Sequence, residues 1–392
     1  MKAESNAIKV IVLQSAIGDD ERKLQWSLFE ARFAKETPFK LLETQSPEEA
    51  DFVFLSTGGV EQYYATCADK MPRILYAPRM TNAFAAMNEI CGYLAKRGEY
   101  AFCYDDSYLS LEEFVRIARA CKQIHEAKIA VFGAPAPWLI ASFPSKEEFQ
   151  AKFRTSMICV PWEELQWQQH ETMPSLINIW RGLDAVSVDD GDFRRACQLS
   201  SSMIQWAQKN SVDGITVGCF PLLSQHVSAC LAVSDLLEAG YAAACENDIC
   251  SVMAMLIAQR LGLCAQPPWM ANLVDVQGDR ITLQHCTIAR SCLHSCKLMT
   301  HFESNANVAV AGAFPKDLPV TIFRLDEVFS KACIVEGTIS ESGPNPVGCR
   351  TSATIQLDAP FPPALGNHHI LISGHVGHLL RAYCRVMNIR DR

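Results

Sequence analysis

The chain has 392 residues, of which 49% are hydrophobic and 20% are charged, and its formal net charge is −8 at pH 7. At about 150 residues per domain, this length allows two or three domains, and the composition excludes a disordered or low-complexity chain. Non-specific affinity for nucleic acid comes from clustered Lys and Arg, so a chain with 35 basic and 43 acidic residues is not expected to bind nucleic acid.

The sequence contains 17 cysteines, an odd number spread from Cys67 to Cys384. Such a distribution in a long chain is not that of a secreted disulfide framework, which is dense in short domains. The apolar stretch at residues 10–13 is too short for a signal-peptide core or a membrane span. We therefore expect a cytoplasmic protein without a membrane partner, whose cysteines are mostly small buried hydrophobic residues.

The first 125 residues alternate strand-like and helical patterns. Three short runs rich in β-branched and aromatic residues are predicted strands: 8–13, 51–55 and 73–76. Helical patterns cover residues 21–35 and the stretch from Thr81 or Asn82 to Gly98. This alternation predicts a parallel sheet covered by helices. The Gly-Gly pair at residues 58–59 is interpreted as a plain turn rather than an anion site.

A second α/β unit begins at Lys128, where an apolar strand is followed by a Gly/Pro turn and a predicted helix within the sequence WLIA. Prolines occupy the turn where a dinucleotide fingerprint needs three glycines, so a nicotinamide cofactor is not expected. Further elements are predicted along this unit: helices near 193–209 and 227–239, a strand at 214–219, and a helix after 246–248.

After about Trp269, short β-type runs follow one another closely, broken by Gly, Pro, Asn and Asp. This pattern favours a mostly antiparallel barrel or sandwich, closed by an amphipathic helix near 377–387. The predicted architecture is therefore two Rossmann-like parallel-sheet α/β domains, 1–125 and 126–268, followed by a β-rich C-terminal domain, 269–392.

Three segments concentrate side chains that bind metals. The first is Cys-Glu-Asn-Asp at 245–248, the second runs from 272 to 303, and the third is 366–377. The second segment holds five candidates: Asp275, His285, His294, His301 and Glu303. Carboxylates in a first helical turn are also explained by simple capping. Adjacent histidines on a strand point to opposite faces, so at most one of His368 and His369 can face a given site.

The sequence disfavours two other metal sites. The histidines and cysteines between 285 and 296 lack the paired ligand spacing of structural zinc. The acidic run at 188–192 lacks the rest of a twelve-residue calcium loop. An acidic surface turn explains this run more simply.

The same segments carry a family resemblance. The motifs are GYAAACENDICSVMAMLIAQRLG, PPWMANLVDV, HCT, HFES and GNHHILISGHVG. Together they resemble the L-fucose isomerase and L-arabinose isomerase superfamily, and in particular its shorter, fucose-isomerase-like members. The resemblance is clear over 213–389 and architectural only before that. Its most specific element is Asn-His followed six residues later by Gly-His-x-Gly.

The resemblance implies a divalent cation, Mn²⁺ or a similar ion, held by carboxylate and histidine between the second and third domains. Glu246 corresponds to a ligand that also acts as an acid or base, and His285 and His368 correspond to histidine ligands. It also implies a homo-oligomer, trimeric or hexameric, and a small-molecule sugar as substrate.

The chain departs from the family at the second carboxylate, where it has Asn272. Two alternatives are open: Asp275, three residues further on, replaces it both as a metal ligand and as the second catalytic acid or base, or the metal is held differently, with Asn272 at this position. Asn272, His301, Glu303 and Asn367 are expected to bind substrate.

These residues suit an aldose–ketose isomerase, because a cation that binds two substrate oxygens stabilises an enediolate while carboxylates transfer the proton. We therefore predict a metal-dependent isomerase acting through a cis-enediol. Two alternatives remain open: a sugar epimerase using the same site, and a catalytically silent sugar-binding protein.

Overall fold

The computed structural model describes residues 7–15 and 19–392. The chain forms two compact units. The first contains residues up to Gln123 together with Arg381–Ile389, and the second contains Ile124–Leu380 together with Arg390–Arg392. The three predicted domains, 1–125, 126–268 and 269–392, stay a prediction.

The first unit is an α/β unit built on one parallel sheet. Its elements in chain order are β1 (Ala7–Leu13), α1 (Asp19–Glu36), β2 (Lys40–Glu43), β3 (Phe52–Leu55), α2 (Glu61–Thr66), β4 (Ile74–Tyr76), α3 (Asn82–Lys96), β5 (Phe102–Cys103) and α4 (Leu111–His125). The strand order is β2-β1-β3-β4-β5, and every neighbouring pair is parallel. All four residues of β3 are buried, as expected for a central strand with both faces covered.

The second unit begins with another parallel sheet. Its elements are β6 (Lys128–Phe132), α5 (Lys146–Phe153), β7 (Ser156–Val160), α6 (Trp162–Leu165), α7 (Pro174–Arg181), β8 (Ala185–Val186), α8 (Asp190–Asn210), β9 (Gly214–Val217), α9 (Phe220–Leu223), α10 (Cys230–Glu238), β10 (Ala242–Cys245) and α11 (Ile249–Arg260). The sheet has the order β10-β9-β6-β7 with parallel pairing throughout.

The predicted helix in WLIA is wrong. Residues 133–145 contain no helix or strand, and the next helix, α5, begins at Lys146. The physical reason is that the backbone of this segment makes tertiary hydrogen bonds instead of helical ones. Ala136 N–H donates to the Glu246 carbonyl at 3.3 Å, and the Ala141 carbonyl accepts from Arg324 at 3.0 Å. Pro135 and Pro137 also lack the N–H that a helix interior requires.

The remaining strands are mostly antiparallel. They are β11 (Trp269–Gln277), β12 (Arg280–His285), β13 (Ser295–Met299), β14 (Ala309–Ala313), β15 (Pro319–Leu325), β16 (Lys331–Pro344), β17 (Thr351–Leu357) and β18 (His368–Ser373), followed by α12 (Gly377–Val386) and β19 (Arg390–Asp391). One sheet has the order β15-β18-β11-β12-β17-β16-β19, and a further β15–β16 pairing closes six of its strands into a barrel. A small separate sheet joins β14, β13 and β8.

Helix α11 connects the two kinds of sheet in the second unit. Its first ten residues are all buried, which is typical of a helix that is apolar all round. It packs against β9 and β10 of the parallel sheet and against β15 and β18 of the barrel. The turn before α11 is therefore held close to the ends of barrel strands.

The predicted fold class, two parallel-sheet α/β regions followed by an antiparallel β region, is confirmed. All 17 cysteines fall within the described residues and are free thiols; ten are buried and only Cys159 is exposed. None of the helices described over 7–15 and 19–392 has the length and apolar character needed to cross a membrane.

Candidate metal centre

Three side chains predicted as metal ligands lie together in the second unit. Glu246, His285 and His368 each offer one ligand atom, and these three atoms lie within 4.8 Å of one another. Glu246 Oε1 is 4.0 Å from His285 Nε2 and 3.7 Å from His368 Nε2. Both distances exceed a hydrogen bond, so the three atoms surround a gap instead of bonding to each other.

Glu246 occupies a tight turn between β10 and α11. Glu246 and Asn247 both have φ of 60°, a left-handed conformation that is uncommon for a residue such as Glu. Asn247 secures the turn, because its Nδ2 donates to the carbonyls of Phe132 and Gly133, each at 3.1 Å. Gly218 is required beside it, since a Cβ there would lie 2.3 Å from the Ala134 carbonyl oxygen. The turn lies after the carboxyl end of β10, the end of a parallel sheet where ligands commonly bind.

His285, the last residue of β12, is held with one ring nitrogen free. Its Nδ1 lies 2.8 Å from the Thr287 hydroxyl, and its buried Nε2 has no hydrogen-bond partner. Burial lowers the pKa of His285 to about 3, so the neutral form, which binds metals, is favoured.

His368, the first residue of β18, is held in the same way by a carboxylate. Its Nδ1 lies 2.9 Å from Asp248 Oδ2, and its Nε2 is buried without a hydrogen-bond partner. Burial alone would lower the pKa of His368, but Asp248 and Glu246 together raise it to about 9. The neighbouring His369 faces elsewhere: its Nδ1 lies 3.0 Å from the Asn367 carbonyl and its ring packs against Phe361.

Asp248 and Arg324 form a fully buried pair behind His368. Arg324 Nη1 donates to Asp248 Oδ2 at 3.0 Å and to the His368 carbonyl at 2.9 Å. Burial would raise the pKa of Asp248, but Arg324 and His368 hold it well below its usual value. Asp248 also caps α11, because its Oδ1 accepts from Ser251 N–H at 2.7 Å.

Arg324 also holds the segment before α5. Its Nη2 donates to the Ala141 carbonyl at 3.0 Å and to the Ser142 hydroxyl at 2.8 Å. Gly366 leaves room for this guanidinium, since a Cβ at residue 366 would lie 2.4 Å from Nη2. Arg324 of β15 therefore fixes two things at once: the Asp248 carboxylate, which orients His368, and the segment 141–142, which precedes α5.

The second oxygen of Glu246 is bound by Trp138, whose Nε1 donates to Oε2 at 2.7 Å. The Trp138 ring meets Phe220 edge-on with centroids 4.6 Å apart, and Phe220 in turn meets His301 at 6.5 Å. Burial raises the pKa of Glu246, but the neighbouring histidines and the indole donor outweigh burial and leave the pKa below its usual value.

The donor set fits a divalent cation. Two imidazole nitrogens without hydrogen-bond partners and one carboxylate oxygen face the same gap, and nitrogen and oxygen ligands suit Mn²⁺, Fe²⁺ and Zn²⁺. Each histidine is oriented through its other nitrogen, by Thr287 or Asp248, as is usual for metal ligands. Without metal, protonated His368 and Arg324 balance the charges of Glu246 and Asp248, and a bound cation would take the place of the His368 proton.

Asp275 does not lie with this group. It is on the exposed outer part of β11, beyond a register shift between Leu273 and Asp275, and its carboxylate accepts from Gln277 at 2.8 Å. The physical reason is that β11 leaves the barrel core at this point and continues into an exposed hairpin with β12. The fourth ligand expected from the sequence is therefore not brought to the gap.

The four residues predicted to bind substrate form two close pairs, Asn272 with Asn367 and His301 with Glu303. Asn272 pairs across the sheet with His368, and its Oδ1 accepts from Asn367 Nδ2. His301 is buried and its Nδ1 lies 3.4 Å from the half-exposed Glu303 carboxylate. Burial lowers the pKa of His301, while the charges of Glu303 and Glu246 act in the opposite direction.

Sequence reasoning missed the roles of Trp138, Asp248 and Arg324. The signal for Arg324 was present, because a single arginine inside the apolar run of β15 needs a buried partner. Asp248 enters the sequence analysis only as one member of the segment 245–248, where helix capping explains it equally well. Nothing in the local sequence connects Trp138 to Glu246, which is 108 residues away.

The chain has a partial sequence similarity to a known sugar isomerase. The sequence is 22% identical over 185 residues to sulfoquinovose isomerase from Alkalicoccus urumqiensis, a region that covers 45% of this chain. The match covers 42% of the length of that enzyme. No protein-family model matches the sequence. A macrolide-efflux protein from Streptococcus pneumoniae aligns over 94% of this chain and 89% of its own, at 10% identity. The TM-score of this alignment is 0.16, which is too low to indicate a shared fold.

Proposed function

We propose that this chain is a divalent-metal-dependent sugar isomerase that interconverts an aldose and a ketose through a cis-enediol. The observation that carries the proposal is the gap between Glu246 Oε1 and two buried, unpartnered histidine nitrogens. The partial similarity to a sulfoquinovose isomerase supports a sugar isomerase independently of this geometry. A homo-oligomer and a cytoplasmic location stay predictions.

Glu246, His285 and His368 would hold the cation. When bound, a divalent cation polarises the substrate carbonyl and stabilises the negative charge of the enediolate. Glu246 would act as the base: its carboxylate takes the proton from C2 of the aldose, the C–H electrons form the C1=C2 bond, and the carbonyl electrons move to O1. The Glu246 carboxyl exchanges its proton with solvent and delivers a proton to C1: the C1=C2 electrons form the new C1–H bond, and the O2–H electrons form the new carbonyl, which gives the ketose.

The reaction also requires the hydroxyl proton to move from O2 to O1. We assign this transfer to His301, because it is buried next to Glu303 and its ring meets Phe220, which also contacts the Trp138 ring bound to Glu246. A histidine can accept a proton at one oxygen and release it at the other, so it is neutral again at the end of the cycle. This role replaces the one expected of the exposed Asp275.

Isotope exchange tests the function directly. The protein is stripped with a chelator, reloaded with Mn²⁺, and incubated in D₂O with sulfoquinovose and a panel of neutral pentoses, hexoses and 6-deoxyhexoses. We expect metal-dependent entry of deuterium next to the carbonyl of at least one sugar, together with formation of the ketose by NMR. Failure of every sugar to exchange, with metal bound, would contradict the proposal.

One observation favours a second candidate function. The chain has Asn272 where the resemblance implies a carboxylate, which favours a sugar-binding protein without catalysis. Sugar binding by titration calorimetry without deuterium exchange would support that candidate. Exchange with inversion and no ketose would instead indicate an epimerase.

A further inference from the structure

Trp138 lies in the irregular segment between β6 and α5, and this segment is fastened on both sides of it. On one side, Ala136 N–H donates to the Glu246 carbonyl at 3.3 Å. On the other, the Ala141 carbonyl and the Ser142 hydroxyl accept from Arg324. The position of the indole is therefore set by the same residues that shape the metal centre.

The indole N–H acts on the orientation of Glu246. A carboxylate can rotate about its last bond, but Glu246 Oε2 accepts from Trp138 Nε1 at 2.7 Å, which leaves Oε1 directed to the two histidines. A hydrogen bond to a charged acceptor is stronger than one between neutral groups. Loss of this donor leaves one oxygen of a mostly buried carboxylate without a partner, and the ligand atom is then no longer fixed.

The ring of Trp138 has a second property. It is 51% exposed although it is one of the largest apolar side chains, and Phe220 supports it edge-on at 4.6 Å. A rigid, exposed aromatic face beside convergent polar groups is the usual composition of a site that binds a small molecule. A sugar in its ring form presents a face of C–H groups, which an aromatic ring can cover while the hydroxyl groups reach the polar side chains.

We propose that Trp138 is a positioning and specificity-determining residue of this site, whose N–H orients Glu246 and whose exposed ring packs against the C–H face of a cyclic sugar. The inference rests on the proposed function for the sugar, whereas the orientation of Glu246 concerns the metal alone. The two roles are separable, because phenylalanine keeps an aromatic ring without the N–H donor and leucine keeps neither.

The experiment compares wild type, Trp138→Phe and Trp138→Leu, with Ile140→Ala as the control on the same segment. Ile140 is 85% exposed, so its substitution alters the segment without touching the metal centre. Mn²⁺ affinity is measured on the chelator-stripped protein by electron paramagnetic resonance. We expect both Trp138 variants to bind Mn²⁺ about tenfold more weakly, as for loss of a residue that orients a ligand, and Ile140→Ala to bind like wild type.

The sugar is the aldose that wild type exchanges most rapidly in D₂O. We expect KM to rise about tenfold in Trp138→Leu and to change little in Trp138→Phe, because the ring supplies apolar contact. Equal Mn²⁺ affinity in wild type and Trp138→Phe would overturn the positioning role. Equal KM values in the two Trp138 variants would overturn the ring's role.

Failure of the proposed function is recognised in the wild-type arm. If wild type binds Mn²⁺ but introduces deuterium into no aldose, the isomerase proposal and the sugar-binding role of the Trp138 ring are both overturned. The Mn²⁺ affinities of wild type and the Trp138 variants then still test whether Trp138 orients Glu246. If wild type binds no Mn²⁺, both proposals are overturned. Circular dichroism and thermal unfolding of each variant verify the fold, which a half-exposed residue is not expected to determine.

Discussion

The Asp248 carboxylate and the Glu246 carboxylate lie on opposite sides of the His368 ring. Asp248 Oδ2 is 2.9 Å from Nδ1, and Glu246 Oε1 is 3.7 Å from Nε2. Asp248 therefore orients the ring and makes Nε2 the atom that faces the gap. The residue that heads α11 acts on the metal centre through a histidine 120 positions later in the chain.

Asp248→Asn should weaken metal binding and destabilise the fold. The amide keeps the shape but removes the charge that faces Arg324, and a buried guanidinium without its counter-ion costs about 3 kcal/mol or more of unfolding free energy. We expect Mn²⁺ affinity to fall about 10- to 100-fold. Calorimetry of Mn²⁺ binding and urea unfolding of the metal-free protein measure the two effects. Unchanged affinity would contradict the role of Asp248.

Glu246→Gln should abolish turnover while the protein stays folded, because the amide is neither a base nor a good ligand. A loss of about 10³-fold or more is expected if Glu246 removes the substrate proton. Asp275→Asn is the matched control, since it makes the same change at an exposed carboxylate. Its activity should stay within about twofold of wild type. A large loss of activity in Asp275→Asn would indicate that Asp275 belongs to the site after all.

His301→Asn should lower turnover without altering the metal. We expect kcat to fall about 10²-fold or more, because the hydroxyl proton loses its carrier, while Mn²⁺ affinity changes less than about twofold. His294→Asn is the control, because His294 is exposed. Parallel loss of metal affinity and kcat in His301→Asn would instead indicate that His301 supports the ligands.

Gly366→Ala should disturb the site through Arg324. The added Cβ would lie 2.4 Å from Arg324 Nη2, which is already bonded to Ala141 and Ser142. Overpacking of this kind costs about 1–3 kcal/mol of unfolding free energy. Gly343→Ala is the control, because a Cβ at residue 343 has open space around it. Chemical denaturation of both variants tests the difference, and equal stability would show that Arg324 moves without cost.

His125 should make the protein less stable in acid. Burial lowers its pKa from 6.5 to about 4, so the unfolded chain takes up the proton first as pH falls. The contribution of neutral His125 to the free energy of unfolding is fully present above about pH 6.5. It is lost as the pH falls from 6.5 to 4, by about 3 kcal/mol for a pKa shift of this size. His125→Gln removes the titration, so its unfolding free energy should fall less over this range. Identical pH profiles would contradict the prediction.

Much of the fold can be predicted from periodicity, because the parallel strands are apolar runs and helices such as α3 carry one apolar stripe, whereas α11 is apolar all round. The helix predicted within 133–145 is absent. The apolar residues WLIA suit a helix, but the N–H of Ala136 donates to Glu246 and the carbonyl of Ala141 accepts from Arg324. These partners are more than 100 residues away in sequence. No local pattern contains that information.

The site could be predicted only in part. Glu246, His285 and His368 came from a family resemblance, since no spacing rule joins residues so far apart. Asp275 was predicted as a ligand, but the sequence around it indicates an exposed position. The alternation Val-Asp-Val-Gln followed by Gly-Asp at 278–279 is a hairpin signal, and it predicts that this end of β11 is exposed.

The three proposed ligands come from two sheets that share no strand pairing among the described residues. Glu246 follows the parallel sheet, whereas His285 and His368 belong to the closed barrel. A bound ion would therefore cross-link two layers that are otherwise joined by the packing of α11 and by the hydrogen bonds of Arg324. Because the ion binds the folded arrangement of both layers and not the unfolded chain, the free energy of unfolding should rise with the concentration of free metal.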